Sequence, residues 1–522
     1  MSTVSMAIPI VDLFAGPGGL GEGFSSLKNF QIVVSAEMES SAHATLRLRA
    51  FYRNLVKLGD NALEPYFSLC NGVNEVPKNE IPHPDWDDKT AKAWVMACNE
   101  ALQLTLGDPK CNDRLDLAIK SSGISSNTPW VLIGGPPCQA YSLVGRARNK
   151  GNTTYKPEED HRHFLYKEYL RTINEYKPHV FVMENVKGIL SSKIAGKKVF
   201  HNILKDLSSC GYNIYSLATD TVFCQSDNPS KIDARNFIVH SESFGIPQAR
   251  HRVILLGIRH DICINKGDNW KPDTLKKTKF VSVKDVISDL PRLRSKISKG
   301  KDSSDNWRNL LIKHANELSN EITQKNKSLS DIKAELNVTK CFNNVPSEYN
   351  GSYLEYQKPT IPSSSSLTEW YRSKASKNLK FFLNHEARGH MESDLRRYLF
   401  ASTFAKVKGL SPKGHGDFDL TGLAPAHKNW ESGKFSDRFR VQLAGSPATT
   451  ITSHISKDGH YFIHYDPTQC RSLTVREAAR LQTFPDDYFF QGNRTQQYHQ
   501  VGNAVPPFLA RKIAEIVLNI LK

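Results

Sequence analysis

None of the nine cysteines in this 522-residue chain forms a CxxC pair, and their spacing is irregular. This pattern excludes a zinc ribbon and argues against a disulfide framework, so we expect a reducing compartment. No run of about 18 apolar residues occurs, and the N-terminal stretch lacks a basic region followed by a long apolar core. We therefore expect a soluble intracellular protein with no membrane segment.

The overall charge is strongly positive. Lysine and arginine number 69 against 53 acidic residues, a formal net charge of +16. Such a field attracts polyanions, most commonly nucleic acid, although a well-solvated lysine-rich surface is the alternative interpretation. The length predicts two or three domains, and no internal repeat occurs.

Apolar strands that end in polar or glycine-rich turns recur along the first half of the chain. The first begins at Ile8 and runs into DLFAGPGG, and the second is QIVVSAE. Further strands are Trp130–Ile133, before GGPPCQ, and Val180–Met183, before ENV. Alternation of such strands with helical stretches predicts an α/β fold with a mostly parallel sheet and ligands at the carboxyl ends of its strands.

Composition changes along the chain suggest its domain limits. Residues 1–261 form the predicted α/β domain, with an insertion at about 40–107 that is helical in places. Residues 262–465 are polar, basic and serine-rich, and we interpret them as a separate domain. Residues 466–522 end in an amphipathic helix whose apolar face predicts packing on the first domain rather than an independent tail.

The turn after the first strand carries three glycines that matter for binding. Gly16, Gly18 and Gly19 would let the backbone approach a ligand closely at a helix N-terminus. The spacing is not the GxGxxG of dinucleotide-binding folds. Glu37, at the end of the second strand, could accept hydrogen bonds from ribose hydroxyls; a surface acid is the alternative.

Two strand ends carry candidate reactive groups. In GGPPCQAYS, two prolines stiffen a turn that presents Cys138, whose thiolate could attack an electrophilic carbon. The alternative is a small buried apolar residue. Glu184, in ENV, could share a proton with a ring nitrogen, and its alternative is a capping or salt-bridge acid.

Six ordered motifs resemble those of the cytosine-C5 DNA methyltransferases of prokaryotic restriction-modification systems. They are DLFAGPGGLGEGF, GGPPCQAYS, FVMENVKGIL, QARHRVILLGIR, RSLTVREAARLQTFPDDY and VGNAVPPFLARKIA. The resemblance covers about the first half of the chain and its C-terminal segment. It implies a Rossmann-like S-adenosylmethionine-dependent domain, 262–465 as a separate target recognition domain, and methylation at carbon 5 of a cytosine flipped out of a specific duplex DNA sequence.

The resemblance also assigns residues to S-adenosylmethionine. They are Phe14 and Met38 on the adenine, Gly16, Gly18 and Gly19 at the methionine part, Glu37 on the ribose, and Pro136, Asn503 and Val505 completing the pocket. The family's Gly-Asp pair, which reaches the adenine amino group, has two candidates, Asp60 and Asp108. We favour Asp108 because it lies closer to the catalytic strand.

For catalysis, the resemblance implies that Cys138 adds to carbon 6 of the cytosine while Glu184 holds a proton at ring nitrogen 3. Arg252 and, less directly, Arg250 of QARHR would fix the base carbonyl and the glutamate. An ordinary basic strand edge is the alternative for both arginines.

The segment after Cys138 is rich in glycines and cations and would close over DNA. Its candidate DNA contacts are Gln139, Ser142, Arg146, Arg148 and Lys150; a disordered basic loop is the alternative. SPATTIT and RSLTVREAARLQTFPD would form the edge and hinge of the recognition domain, or else pack in its core.

We predict no metal site. NHEARGH spaces His385 and His390 five apart, whereas zinc-binding HExxH spaces its histidines four apart. The expected partners are double-stranded DNA and a cognate restriction endonuclease or other defence proteins, with a monomer acting on DNA in the prokaryotic cytoplasm, at the nucleoid. Two rival functions remain, a transfer RNA methyltransferase of the same family and a DNA-binding protein that has lost catalysis.

Overall fold

A computed structural model describes residues 7–125, 127–137, 165–194, 197–267, 269–325, 329–339, 346–351, 367–372, 374–425, 430 and 438–522. The chain forms two compact units. Unit 1 comprises Met1–Tyr66, Glu75–Lys279 and Ala504–Lys522, and unit 2 comprises Phe67–Asn74 and Phe280–Asn503.

The α/β prediction is confirmed by a nine-stranded sheet in unit 1, with the order β3-β2-β1-β4-β5-β12-β8-β9 and β10 beside β12. The strands up to β5 are mutually parallel, and β12 runs antiparallel to β5, β8 and β10. The strands of the described residues are β1 Ile8–Leu13, β2 Phe30–Glu37, β3 Ala101–Gln103, β4 Val131–Gly134, β5 Val180–Val186, β6 Lys193–Ile194, β7 Lys197–Lys198, β8 Tyr212–Ser216, β9 Val222–Phe223, β10 Ile238–His240, β11 Gln248–Ala249, β12 His251–Arg259, β13 Lys296–Ile297, β14 Gly389–His390 and β15 Ala448–Thr449.

Helices lie between most of these strands and form much of unit 2. The α-helices of the described residues are α1 Gly19–Ser25, α2 Ser40–Leu58, α3 Glu64–Cys70, α4 Asp88–Glu100, α5 Pro109–Ser121, α6 Leu165–Tyr176, α7 Val199–Ser209, α8 His260–Lys266, α9 Val283–Ile287, α10 Ser304–Lys325, α11 Ser330–Thr339, α12 Leu367–Tyr371, α13 Glu392–Lys408, α14 Gly414–Asp417, α15 Val475–Leu481, α16 Arg494–Asn503 and α17 Pro507–Leu521. Short 3-10 helices are Asp60–Leu63, Lys187–Ser191, Pro229–Lys231, Ala234–Phe237, Ser241–Phe244, Lys374–Asn378 and Ser453–Ser456.

The central strands are apolar along their length because both faces of the sheet are covered. All four residues of β4 are buried, and so are the last four of β1. A strand covered on both faces reads as a continuous apolar run rather than as an alternation. This is why the sequence predicted β4 to within one residue at each end and β5 from its first residue, although β5 continues three residues beyond the predicted Met183.

One predicted helix is shorter than its sequence suggested. The helical pattern of TAKAWVMACNEALQLTL runs to Leu106, but α4 ends at Glu100 and Ala101–Gln103 pairs in parallel with β2. The segment expected as an insertion over the sheet therefore supplies its edge strand. Leu104 and Leu106 continue into the apolar core of the sheet.

The C-terminal helix α17 packs against α1 in unit 1. A Cβ added at Gly23 of α1 would lie 2.4 Å from the carbonyl oxygen of Pro507 and 2.4 Å from Cβ of Ala510. The two helices touch so closely that only glycine fits between them. The apolar face of α17 is thus covered by the first strand-helix unit of the chain.

Unit boundaries lie further along the chain than composition suggested. The segment after Arg259 still belongs to unit 1, since Leu275 N donates to Leu217 O at 2.8 Å and Thr278 N to Ser243 O at 2.9 Å. Unit 2 runs to Asn503. Its α15 is tied to the start of that unit, where Arg480 donates to Asp289 Oδ1 at 2.5 Å.

The RSLTVREAARL segment of unit 2 is built around buried arginines. Arg471, Arg476 and Arg480 are each at most 1% exposed. Arg471 pairs with Glu477, and Arg480 pairs with Asp486, both at 2.7 Å. This segment therefore packs in the interior of unit 2 around buried ion pairs. Of the two interpretations offered by the sequence, the contacts favour core packing over a hinge.

Candidate active site

The glycine-rich turn joins β1 to α1 with three residues in left-handed backbone conformation. The φ angles are 57° at Phe14, 58° at Gly16 and 95° at Gly18. A Cβ added at Gly16 would meet no atom within 4 Å, whereas one at Gly19 would lie 2.2 Å from the carbonyl oxygen of Val505. Gly16 therefore borders open space. At Gly19 the absence of a side chain lets the backbone of Val505 approach the turn.

Glu37 lies beside this turn because β1 and β2 are adjacent parallel strands that end together. Its Oε2 accepts a hydrogen bond from Gly16 N at 2.8 Å, and its Oε1 accepts one from Glu39 N at 2.8 Å. Burial raises the pKa of this carboxyl group, and the backbone donors oppose that rise. The next residue, Met38, is 59% exposed, so its side chain is available to cover a ligand.

The two candidate aspartates occupy different places. Asp108 follows β3 and caps α5, where its Oδ1 accepts from Cys111 N at 3.0 Å. Asp60 begins the 3-10 helix after α2. Asp108 therefore lies five residues beyond the end of β3, whereas Asp60 precedes that strand in the chain.

The turn after β4 is held against the end of β5. Asn185 is 4% exposed, and its Nδ2 donates to Pro136 O at 3.2 Å. A Cβ at Gly135 would lie 3.3 Å from Oε2 of Glu184. Sequence reasoning assigned no role to Asn185, although its place directly after Glu184 at a strand end was a usable signal. The contact fixes the two strand ends relative to each other.

Glu184 is paired with Arg252 of β12. Arg252 Nε lies 2.9 Å from Glu184 Oε1, and the two side chains are 16% and 12% exposed. Arg250 is 2% exposed, and burial lowers its pKa well below the usual value, with the Arg252 charge acting in the same direction. The arrangement places a carboxylate and its arginine partner at the carboxyl end of β5.

Some predicted residues lie outside the described part of the chain. They are Cys138, Gln139, Ser142, Arg146, Arg148 and Lys150. Pro137 is the last described residue before them. Of the two residues predicted from VGNAVPP, Val505 is buried in unit 1, and Asn503 is the exposed last residue of α16 in unit 2.

Comparison with known proteins identifies the family. The pattern shared by C-5 cytosine-specific DNA methylases matches residues 86–519. The chain belongs to this family. It is a DNA (cytosine-5-)-methyltransferase of the type II restriction-modification kind, as the resemblance predicted. Membership of this family implies a DNA substrate and S-adenosylmethionine as the methyl donor.

Relatives extend over the whole of this methyltransferase. The type II methyltransferase M.Bpa9945I of Bacillus paralicheniformis is 33% identical over 98% of this chain and 99% of its own. M.DdeI of Desulfomicrobium norvegicum is 27% identical over 77% of this chain and 74% of its own. A solved structure described as a DNA modification methyltransferase encoded within a prophage, from E. coli, covers 99% of both chains at 18% identity with a TM-score of 0.53, which shows a shared fold.

The two histidines of NHEARGH take part in the packing of unit 2. His385 Nδ1 lies 2.9 Å from Thr474 Oγ1 and its Nε2 2.8 Å from Pro291 O, while His390 Nε2 lies 3.3 Å from Ser472 Oγ. Burial lowers the pKa of His385 to about 4. These contacts explain both histidines as structural.

No helix among the described residues is long and apolar enough to cross a bilayer.

Proposed function

We propose that this methyltransferase moves the methyl group of S-adenosylmethionine to carbon 5 of a cytosine flipped out of a specific duplex DNA sequence, in restriction-modification or a related phage defence. The observation that supports it most is the Glu184–Arg252 pair at 2.9 Å, beside a Pro136–Pro137 turn that leads to Cys138. A carboxylate paired with arginine would serve a thiol that adds to a pyrimidine ring, since it can hold the proton that the addition requires on the ring.

The glycine turn fits the methyl donor. Open space beside Gly16 and positive φ angles at Gly16 and Gly18 would let a ligand approach the backbone. Glu37 offers acceptor oxygens to ribose hydroxyls, and Phe14 and Met38 offer apolar faces to the adenine. Asp108, Pro136 and Val505, all in unit 1, complete the proposed set. The bound donor would supply a methyl group activated by a positively charged sulfur.

The chain's own residues would activate the base. The Cys138 thiolate adds to carbon 6 while Glu184 holds or donates a proton at nitrogen 3, so the electron pair of the 5,6 double bond becomes available at carbon 5. Carbon 5 would then take the methyl group as the bond between that group and the donor's sulfur breaks, with the electron pair of that bond staying on the sulfur. Loss of its proton and expulsion of the sulfur restore the ring and the thiolate. Arg252 keeps Glu184 aligned, and Arg250 lies beside them.

Base flipping is required because carbon 6 cannot be attacked inside a stacked duplex. We assign closure over the DNA to the segment that carries Gln139, Ser142, Arg146, Arg148 and Lys150. Recognition of bases is assigned to the part of residues 262–465 that lies in unit 2, which begins at Phe280 in this range. The net charge of +16 suits contact with phosphates. A cognate endonuclease would be the partner in restriction, with the methyltransferase acting as a monomer.

A transfer assay tests this function against its rivals. The protein is incubated with labelled S-adenosylmethionine and either unmethylated genomic DNA or transfer RNA, in parallel with Cys138→Ala. We expect label at carbon 5 of DNA cytosine and its loss in the variant. Label only in transfer RNA would favour the RNA rival, and no label in either substrate would favour a non-catalytic DNA-binding protein.

A second assay tests the covalent step directly. Duplexes that the protein methylates are prepared with 5-fluorocytosine, in which carbon 5 has no proton to lose after methyl transfer. The proposal predicts a stable protein-DNA adduct through Cys138. An active enzyme that forms no such adduct would contradict the mechanism.

A further inference from the structure

Two histidines and a glutamate converge at the edge of the β10–β12 pair. His240 and His251 face each other across the antiparallel ladder, and their ring centres are 4.1 Å apart. Glu242, two residues after His240, places Oε1 2.8 Å from His251 Nε2 and 3.9 Å from His240 Nδ1. One ligand atom from each of the three residues lies within 4.8 Å of the other two.

We propose that His240, Glu242 and His251 form a binding site for a divalent transition-metal ion, with zinc as the best match. Two imidazole nitrogens and one carboxylate oxygen are a donor set that zinc accepts, and three protein ligands leave a fourth position for water. This inference goes beyond the methyl transfer reaction and does not depend on it.

Two of the three ligand-atom separations lie close to those around a bound zinc ion. Tetrahedral zinc with bonds of about 2.0–2.1 Å places its ligand atoms roughly 3.3–3.5 Å from one another. The observed separations of 2.8 Å and 3.9 Å lie on either side of that value. The side chains of His240, His251 and Glu242 are 49%, 33% and 17% exposed, so an ion can reach them from solvent.

The local electrostatics bear on the site in both directions. Glu242 Oε2 is buried without a hydrogen-bond partner among the described residues, so this carboxylate has an oxygen to spare. The Lys187 charge near His240 opposes a cation, and the Glu242 charge offsets it.

The site is separable from the catalytic pair. His251 and Arg252 are consecutive residues of β12, and consecutive side chains of a strand point to opposite faces of the sheet. The metal would therefore lie on the face away from the Arg252 side chain. Substitutions at the three ligands can be assessed by metal binding itself, without reference to methylation.

Cobalt(II) titration of the metal-free protein tests the proposal, because Co²⁺ takes the same ligands as zinc and its visible absorption reports their geometry. We expect one strong site whose spectrum lacks a thiolate charge-transfer band. His240→Ala, Glu242→Gln and His251→Ala should each weaken Co²⁺ binding at least about tenfold, roughly 1.4 kcal/mol. His260→Ala, at an exposed histidine on α8, is the matched control and should bind like the unaltered protein.

Thermal unfolding guards against misfolded variants. Zinc should raise the Tm of the unaltered protein and of His260→Ala, since a ligand that binds only the folded state stabilises it. Without metal, Glu242→Gln should have the same Tm as the unaltered protein, and zinc should not raise that Tm. Three results would overturn the proposed site: no cobalt binding, a thiolate band in the spectrum, or three ligand variants that bind Co²⁺ as tightly as the unaltered protein does.

Discussion

Arg252 and Glu184 are not directly opposite each other on their antiparallel strands, yet they form an ion pair. Arg252 pairs in register with Val186, and Glu184 pairs with Ile254. The contact is therefore diagonal, between side chains two residues apart on one face of the sheet, a separation that long side chains can bridge. Nε of Arg252 reaches Oε1 of Glu184 at 2.9 Å.

We expect Arg252→Ala to slow methyl transfer by about 10²–10³-fold, a loss typical of removing one preorganised polar group from a reacting site. The reason is that Glu184 loses the partner that orients it. A single-turnover assay with saturating DNA and methyl donor measures the effect.

Arg235→Ala serves as the charge-matched control, because the Arg235 side chain is 81% exposed and pairs with Asp233 at the surface. It should react at the normal rate. If Arg252→Ala were equally fast, the ion pair would have no part in the reaction.

The sequence predicted the sheet well and the buried charges poorly. Strands such as Val131–Gly134 were recognisable because a doubly covered strand is apolar throughout. Arg476, in contrast, belongs to a residue type that is seldom buried. It is buried because carbonyl oxygens distant in the chain, such as Leu383 O at 2.8 Å, satisfy it, and no local pattern reveals such partners.

The candidate site was predictable where motif and strand end coincide, as at Glu37 and Glu184. Asn185 was missed because its contact partner, Pro136 O, belongs to a residue 49 positions earlier in the chain. The strand Ala101–Gln103 was missed because it continues the helical pattern of α4 without a break. Tertiary pairing, not local propensity, decides both cases.

Gly19→Ala is expected to weaken both the fold and the binding of the methyl donor. The added Cβ would lie 2.2 Å from Val505 O, so either the glycine turn or the backbone at Val505 must shift. Overpacking of this kind costs about 1–3 kcal/mol. Thermal unfolding and calorimetric titration with S-adenosylmethionine measure the two effects.

Gly416→Ala is the control for that substitution, since a Cβ there would meet nothing within 4 Å. Its unfolding free energy and donor affinity should stay unchanged. Normal stability and affinity in Gly19→Ala would mean that the turn tolerates displacement and is not tightly fitted to its ligand.

Asp12 predicts a distinctive dependence of stability on pH. Burial raises its pKa to about 8, with the Arg53 charge opposing the rise. The folded protein therefore keeps a proton that the unfolded chain loses near its ordinary pKa of 3.8. Stability from this group is lost as pH rises from about 4 to about 8, by at most ~1.4 kcal/mol per pH unit.

Asp12→Asn removes that titration while keeping the shape of the side chain. Relative to the unaltered protein, the variant should gain stability as pH rises, and the difference should level off above about pH 8. Urea unfolding at several pH values measures the difference, in which other titrating groups cancel. A difference that stays constant from pH 5 to pH 9 would contradict a neutral buried Asp12.

Glu477 is the partner that makes the burial of Arg471 tolerable. Both of its carboxylate oxygens accept from Arg471 at 2.7 Å, and Thr474 N donates to Oε2 at 2.7 Å. Burial alone would raise the pKa of Glu477, but the Arg471 charge lowers it well below the usual range. Glu477→Gln leaves the guanidinium buried without a counter-charge, so the unfolding free energy should fall by about 3–5 kcal/mol.

Glu392→Gln is the matched control, because Glu392 pairs with Lys313 at 3.4 Å and both side chains are more than half exposed; it should cost no more than about 0.5 kcal/mol. The double variant Arg471→Met with Glu477→Leu removes both charges together and should recover much of the stability lost in Glu477→Gln. If the double variant were less stable than Glu477→Gln, the pair would contribute more to the unfolding free energy than the mutual neutralisation of its two buried charges. Its remaining contribution would then come from the hydrogen bond that Arg471 donates to Leu293 O and the one that Glu477 accepts from Thr474 N.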